Sequence, residues 1–231
     1  MSLLECKGLT KIYSGNNALN GVDLNLEKGQ IVGLLGPNGS GKTTLIKLTA
    51  GLLVPTAGEV LVDGMKPGPE TKAEVAYLPD RDFLPDYMNV IQLLNFYEDF
   101  FADFDRPRAQ EMLADLNIPP KQKYGKMSKG TREKVQLILT MSRRARVYLL
   151  DEPIAGVDPA ARDFILKTII SNYSEDALVL ISTHLIADIE TVLDDIVFLQ
   201  NGQVVLHKSA DEIREQDGKS VDGLFREVFR C

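Results

Sequence analysis

The chain has 231 residues, of which 44% are hydrophobic and 26% charged, as is ordinary for a globular protein with a substantial core. Its formal net charge of −7 gives no electrostatic support for a role in coating nucleic acid. The two cysteines, Cys6 and Cys231, form no metal-spaced cluster and indicate no oxidising compartment. No apolar run approaches the roughly 20 residues that span a bilayer, and the start, MSLLECKG, lacks the features of a secretory signal. Any membrane-spanning part is therefore expected on another chain.

The N-terminal part of the sequence has the pattern of antiparallel strands. Apolar side chains alternate with polar ones between Leu3 and Leu26, and clusters of turn-forming residues lie at 14–17 and 27–29. The next run, 30–35, is mostly apolar and long enough for one buried strand. We therefore expect an antiparallel flank that leads into a buried strand.

A glycine-rich loop follows that strand and carries the pattern G-x-x-x-x-G-K-T. Its glycines let the backbone turn N–H groups toward one anion, and a helix predicted from Lys42 to Leu53 adds the positive end of its dipole. Lys42 places a charge on the terminal phosphates, and the Thr43 hydroxyl can bind the accompanying magnesium. We therefore predict a nucleoside triphosphate site formed by Gly36, Pro37, Asn38, Gly39, Ser40, Gly41, Lys42, Thr43 and Thr44.

The middle of the chain changes from strands to helices. Two short strands are predicted at Gly58–Val62 and Ala73–Leu78, and from about residue 83 the apolar period becomes helical. Helices are expected over 90–101, around 112–116 and over 131–142. The aromatic cluster at 96–104 is predicted to be a core stripe or a surface for a partner helix, because acidic residues interleave it. A cofactor or base-stacking role is the less favoured alternative.

The last third returns to alternating strands and helices. The predicted elements are a strand at 147–150, a helix at 160–173, a strand at 177–182, a helix at 185–193, a hairpin of 196–199 and 203–206 joined by Asn201-Gly202, and a helical tail from 209. We expect one α/β domain over 1–231 with a P-loop NTPase core and an antiparallel β flank. The core and flank comprise 1–82 and 145–208, the inserted helical subdomain 83–144, and the C-terminal tail 209–231.

Two adjacent carboxylates, Asp151 and Glu152, close the apolar strand at 147–150. In P-loop ATPases an aspartate at such a strand end supports the magnesium, and a neighbouring glutamate can accept a proton from the attacking water. Adjacent side chains on a strand point to opposite faces, so the pair can share a site only where the strand ends. Pro153 is expected to end it there.

With these residues the chain resembles the nucleotide-binding subunits of ABC transporters from end to end. Gly36–Thr43 resembles the Walker A loop, and Tyr148–Glu152 the Walker B strand. The run 127–131, MSKGT, stands where that family has its LSGGQ signature. Many ATPases share the Walker motifs, whereas a signature, a D-loop and a switch histidine in this order are specific to the ABC class.

The resemblance assigns further residues. Ala155–Asp158 resembles the D-loop, with Asp158 at the nucleotide, and Tyr13 stands where an aromatic ring stacks on adenine. His184 resembles the switch histidine that contacts the γ-phosphate, although a histidine in such a position is also a common strand-end residue. Ser128, Lys129 and Gly130 precede a helix, and the family uses that end on the ATP of a second subunit. A purely structural cap is the alternative for Ser128, and both roles are compatible.

Two departures from the family pattern alter what we expect. Asp80 stands where the family has its Q-loop glutamine. A carboxylate can still bind magnesium but adds negative charge near the γ-phosphate, so a tight magnesium dependence or slow turnover is expected. Lys129 replaces the first signature glycine and Thr131 its glutamine. Lys129 either attracts the partner's phosphates or faces solvent.

The resemblance implies an ATP-hydrolysing subunit with ATP and Mg²⁺ as cofactors, Glu152, His184 and Lys42 as catalytic residues, and Thr43, Asp151 and Asp80 at the metal. Its expected partners are a second ABC subunit, identical or related, and a membrane-spanning permease subunit, with no nucleic acid. The expected location is the cytoplasm, at the inner face of the cell membrane, and the subunit looks more like the bacterial exporter type. The alternatives are a soluble, non-transport ABC-type ATPase and a regulatory ATP-binding module.

Overall fold

The computed structural model describes residues 2–155, 157 and 159–229. Gly156 and Asp158 of the predicted D-loop lie outside the described residues, as does Cys231. The strands within those ranges are β1 (Ser2–Tyr13), β2 (Asn16–Glu27), β3 (Gln30–Leu35), β4 (Ala57–Val62), β5 (Val75–Leu78), β6 (Val147–Asp151), β7 (Leu178–Thr183), β8 (Asp195–Gln200) and β9 (Gln203–Ser209). The helices there are α1 (Lys42–Thr49), α2 (Pro69–Glu74), α3 (Val90–Phe100), α4 (Arg106–Asp115), α5 (Lys129–Met141), α6 (Pro159–Asn172), α7 (Ile186–Ile189), α8 (Ala210–Gln216) and α9 (Val221–Phe229).

A six-stranded sheet in the order β5-β6-β7-β3-β8-β9 forms the centre of the molecule. The first five strands run parallel, and β9 pairs antiparallel with β8 at the edge. Every residue of β6 and β7 is buried, as expected for parallel strands covered on both faces. The carboxyl ends of β3, β6 and β7 therefore meet at one edge of the sheet, where α/β proteins bind ligands.

The antiparallel flank predicted from the N-terminal alternation is confirmed as a three-stranded sheet in the order β2-β1-β4. Its inward side chains join those of β3 and α1 in one buried cluster, which includes Leu4, Leu24, Val32 and Leu45. The flank thus covers the face of the central sheet that carries the glycine-rich loop.

The prediction of one strand over Ala73–Leu78 was wrong in its first part. Helix α2 occupies Pro69–Glu74, and only the segment from Val75 onward is a strand. Proline at the first helical position and the hydrogen bond from the Gly68 N–H to Thr71 Oγ1 (2.8 Å) favour that helix. A six-residue helix is too short to produce a helical period in the sequence.

Two other helices are shorter than predicted. Helix α1 ends at Thr49 instead of Leu53, because Gly51 adopts a left-handed backbone (φ 66°) and the Leu52 N–H bonds back to the Lys47 carbonyl. Helix α7 spans only Ile186–Ile189 instead of 185–193. The chain turns away there because Leu193 packs directly over Gly33 of β3.

The hairpin and the helical tail are confirmed. Asn201 and Gly202 both have positive φ (49° and 75°), as a two-residue turn between β8 and β9 requires. The tail forms α8 and α9, and the rings of Phe225 and Phe229 lie 5.5 and 5.6 Å from that of Phe198. The C-terminal tail is therefore packed on the central sheet.

Helices α3, α4 and α5 enclose a buried cluster of their own, drawn from residues 84–139. Its separation from the sheet clusters supports our proposed helical subdomain at 83–144. Within the aromatic stripe, Tyr97 is buried and its ring lies 5.4 Å from those of Phe101 and Phe104, whereas Phe100 is exposed. In the part of the chain that the structure describes, no helix combines the length and apolar character needed to cross a bilayer.

A buried arginine joins the helical subdomain to the sheet. Arg143 pairs with Asp103 of the subdomain (Nε to Oδ1, 3.0 Å). It also donates to the carbonyls of Ala73 in α2 (2.5 Å) and of Val75 at the start of β5 (2.6 Å). Its guanidinium also lies 4.0 Å from the centre of the Phe101 ring. The charge is thus fully partnered, which a buried guanidinium requires.

Candidate functional site

The glycine-rich loop is held in a fixed shape between β3 and α1. Lys42 is buried and its ammonium donates to the carbonyls of Gly36 (2.7 Å) and Pro37 (3.2 Å). A side chain on Gly36 would collide with the Leu199 carbonyl oxygen, and one on Gly41 would collide with the flank, so both positions require glycine. Burial lowers the pKa of Lys42, and the nearby carboxylates of Glu152 and Asp151 oppose that effect. The loop therefore fits phosphate groups through a buried cation and the amino end of α1.

Residues beside the loop have side chains that suit a divalent cation. Asp151, the last residue of β6, is fully buried, and its Oδ1 accepts from Thr43 Oγ1 (3.1 Å) and Ser182 Oγ (2.6 Å). Its Oδ2 is buried without a hydrogen-bond partner among the described residues. Burial raises the pKa of Asp151, and Asp80 and Glu152 add to the rise. A carboxylate with one uncommitted oxygen beside a hydroxyl fits Mg²⁺.

Glu152 reaches the same edge because the strand ends at Asp151. Its backbone is left-handed (φ 51°), and its N–H lies 3.0 Å from the Ser182 carbonyl oxygen and 3.1 Å from Ser182 Oγ. A left-handed residue other than glycine costs about 1–2 kcal/mol, which is typical of functional positions. Glu152 Oε2 lies 2.9 Å from His184 Nδ1. The two predicted catalytic side chains are thus in direct contact, and the turn that the prediction required is present.

Asp80 lies in an exposed loop after β5 and lines a cavity of about 180 Å³ together with Glu152 and Lys129. This cavity separates the edge of the central sheet from the amino end of α5. Lys129 exposes 68% of its side chain, and its ammonium is 3.7 Å from Glu133 Oε1. At that distance the ion pair is weak, so the Lys129 charge remains accessible to a second molecule.

Helix α5 begins at Lys129 instead of Thr131, so Lys129 and Gly130 lie in its first turn and do not precede it. Ser128 is its cap, with Oγ accepting from the Thr131 N–H at 3.2 Å, and its role at the ATP of a second subunit stays a prediction. A side chain on Gly130 would meet no atom within 4 Å. Packing inside the chain therefore does not require glycine at position 130, and the space in front of α5 is open.

Tyr13 ends β1 and exposes 42% of its surface, with the Lys11 ammonium 5.3 Å from its ring centre. Its ring is accessible for stacking, and its contact with adenine stays a prediction.

Sequence reasoning missed Ser182, which orients Asp151 and also accepts from the backbone of Glu152. A fully buried serine at the end of the apolar strand LVLIST was the available signal.

Comparison with known proteins gives a consistent result. Residues 19–155 match the family described as ABC transporter. The ABC transporter ATP-binding protein YtrB of Bacillus subtilis (strain 168) is 33% identical over 217 residues, covering 93% of this chain and 74% of YtrB. The ABC-type transporter ATP-binding protein EcsA of the same organism is 31% identical over 241 residues, covering 100% and 98%. The lipopolysaccharide export system ATP-binding protein LptB of Escherichia coli (strain K12) is 30% identical over 229 residues, covering 94% and 95%.

Solved structures agree with these relatives. An ATP-binding subunit of an ABC transporter superimposes with a TM-score of 0.88 at 31% identity, covering 99% of this chain and 100% of the other. A nucleotide-free ATP-binding cassette has a TM-score of 0.78 at 22% identity, covering 97% and 98%, which supports the fold alone. The predicted fold class is thereby confirmed.

The raised pKa of Asp151 allows a prediction of how stability depends on pH. Because the folded state binds this proton more tightly than the unfolded chain does, the free energy of unfolding falls as pH rises through the pKa of Asp151. Asp151→Asn keeps an oxygen acceptor and removes the buried charge, so at pH 7 without nucleotide it should melt a few degrees above wild type, at about 2–4 °C per kcal/mol. The gain should shrink in acid, where Asp151 itself is neutral.

The matched control is Asp103→Asn, which removes the partner of buried Arg143. That variant should instead lose about 3–5 kcal/mol, because it leaves a buried cation uncompensated. Thermal melting of the three proteins across pH measures both effects. A melting temperature of Asp151→Asn below wild type at pH 7 would contradict the prediction.

Proposed function

Because the chain belongs to the ABC transporter family as an ATP-binding subunit, we propose that it hydrolyses ATP and thereby drives a separate membrane subunit. One observation carries this proposal. The Glu152 carboxylate, in contact with His184, stands beside buried Asp151 at the edge of the sheet that holds the phosphate loop. A module that only bound ATP would not need a strained glutamate paired with a histidine at that place.

Each residue has a defined part in the proposed reaction. Lys42 would hold the terminal phosphates by charge, and Thr43 and Asp151 would hold Mg²⁺, which would neutralise phosphate charge. Glu152 accepts a proton from the water that attacks the γ-phosphorus as the bond to ADP breaks. His184 keeps the Glu152 carboxylate oriented through the 2.9 Å contact and reaches toward the γ-phosphate.

A second copy, or a related subunit, is part of the proposal. Ser128, Lys129 and Gly130 present the amino end of α5, an accessible ammonium and open space on the outside of the chain. Such an end attracts phosphate oxygens. Two chains would then enclose two ATP molecules, each bound by the loop of one chain and by α5 of the other.

The membrane partner has a candidate surface around the segment Asp80–Phe104. A groove of about 450 Å³ lies between the sheet and the helical subdomain, and Phe83 and Leu52, exposed by 41% and 54%, line it. Lys47 and Lys72 stand at the same groove. An apolar groove with basic residues suits a short helix from another chain. We propose that the subunit works in the cytoplasm at the membrane face, and the export named for LptB favours the exporter direction.

The proposal is tested by Mg²⁺-dependent ATP hydrolysis of the purified chain and its Glu152→Gln variant, with sizing in ATP. Glu152→Gln should lose about 10²–10³ in rate, because one positioned proton acceptor is gone, and should remain dimeric in ATP. Glu215→Gln, an exposed position on α8, should hydrolyse ATP like wild type. Hydrolysis by Glu152→Gln at the wild-type rate would refute the role of Glu152. Turnover that appears only with a co-purified membrane subunit would support the coupling.

A second prediction concerns Asp80, because its charge raises the pKa of Asp151 and its side chain lines the same cavity as Glu152. Asp80→Gln should relax the dependence on Mg²⁺ and speed turnover a few-fold, since like charge near the γ-phosphate is removed. The measurement is the hydrolysis rate as a function of Mg²⁺ concentration. Asp99→Gln, on the exposed face of α3, serves as the control for charge alone. Identical curves for Asp80→Gln and wild type would count against the assignment.

A further inference from the structure

The loop after β5 makes a contact with the helical subdomain that involves none of the residues assigned above. The carboxylate of Asp82 accepts from the Tyr124 hydroxyl (3.0 Å) and the Gln136 side-chain amide (2.9 Å), both at Oδ1. Its Oδ2 lies 2.9 Å from Arg132 Nη1. One carboxylate thus satisfies three donors from the segment that leads into and forms α5.

Two of the three partners of Asp82 are buried. Tyr124 is fully buried and Gln136 is 4% exposed, so neither the hydroxyl nor the amide can turn to solvent without a movement of the backbone that carries it. The Arg132 guanidinium lies 5.8 Å from the Tyr124 ring centre, which adds a cation–π contact. Burial and the neighbouring Asp82 charge raise the pKa of Tyr124, so its hydroxyl stays protonated and donates. Loss of the Asp82 charge would therefore leave buried donors poorly satisfied.

The contact lies between the nucleotide edge of the sheet and the amino end of α5. The loop that carries Asp82 continues β5, the direct neighbour of β6, which ends at Asp151. Gln136 and Arg132 lie on the helix that Ser128 caps. The cavity of about 180 Å³ has both sides of this boundary in its wall, among them Asp80, Asp82, Lys129, Arg132, Gln136 and Glu152.

We propose that Asp82 is a positioning residue that fixes the amino end of α5 relative to Glu152 and the sheet edge. The inference rests on the proposed ATP hydrolysis, in which that end of α5 completes a second chain's site. A misplacement of about 1 Å at a reacting group can lower a rate by up to 10², so a contact that touches no substrate can still control turnover. The charge of Asp82 matters because it holds three donors at once.

The chain offers a matched control for this charge. Asp86 lies in the same segment, exposes 77% of its side chain, and its Oδ1 is 4.0 Å from the same Arg132 guanidinium. Asp82→Asn and Asp86→Asn therefore make the same chemical change beside the same arginine. Only the first removes the carboxylate that accepts from Tyr124 and Gln136.

The experiment compares Asp82→Asn, Asp86→Asn and Tyr124→Phe with wild type by steady-state ATP hydrolysis and amide hydrogen exchange. Asp82→Asn should lower kcat about 10-fold with KM for ATP unchanged, because the phosphate loop is untouched. Exchange over 124–132 should accelerate without nucleotide, while exchange over α1 stays the same. Tyr124→Phe should lower kcat in the same direction, and adding it to Asp82→Asn should cost less than the product of the two effects. Asp86→Asn should stay within two-fold of wild type.

Three outcomes would overturn the inference. An unchanged kcat with faster exchange would mean that Asp82 only stabilises the subdomain, and unchanged exchange over 124–132 would mean that Asp82 does not fix α5. An equal loss in Asp86→Asn would assign the effect to net charge. If wild type itself hydrolysed no ATP, the proposed function would fail, and the exchange comparison would still decide whether Asp82 fixes α5.

Discussion

The rest of the structure depends on the hydrogen bonds that the buried carboxylate of Asp151 accepts. A fully buried charge is costly, and here its cost is partly offset by hydroxyls from two other segments, Thr43 at the phosphate loop and Ser182 at the end of β7. These hydrogen bonds bring β6, β7 and the loop to one point. Because Ser182 also accepts a hydrogen bond from the Glu152 N–H, the same contacts hold the strained turn that directs Glu152 to His184.

The helical subdomain adds a second constraint, since its α5 must be placed against that edge. Arg143 joins the subdomain to the start of β5, and Asp82 joins it to the loop after β5. The two contacts therefore lie at opposite ends of one strand that neighbours β6. The loop between Leu78 and Asp82 therefore connects the carboxyl end of β5 to α5, while the Arg143 contact is buried at the start of β5. The subdomain is thus attached to the sheet at two places, by Arg143 at the start of β5 and by Asp82 near the edge of the sheet that carries Asp151.

The sequence was sufficient to predict the glycine-rich loop between β3 and α1, the order of the strands along the chain and the end of β6 at Asp151, because these follow from local patterns and from where an apolar strand ends. It was insufficient where long-range packing decides. Helix α7 stops early because Leu193 must lie over Gly33, a contact between segments far apart in the chain. Ser182 and Asp82 escaped notice because a single polar residue gains its role from partners that only the fold brings near. Helix α2 was missed because six residues are too few to show a helical period.

The most direct test of the central role of Asp151 is the affinity for ATP measured with and without Mg²⁺, in wild type and in Asp151→Asn. Equilibrium titration with a fluorescent ATP analogue gives both affinities without requiring turnover. In wild type Mg²⁺ should strengthen binding, and in Asp151→Asn most of that gain should be lost while binding without Mg²⁺ stays similar or improves, since a negative charge has been removed. An Asp151→Asn variant that kept the full effect of Mg²⁺ would contradict the role given to Asp151.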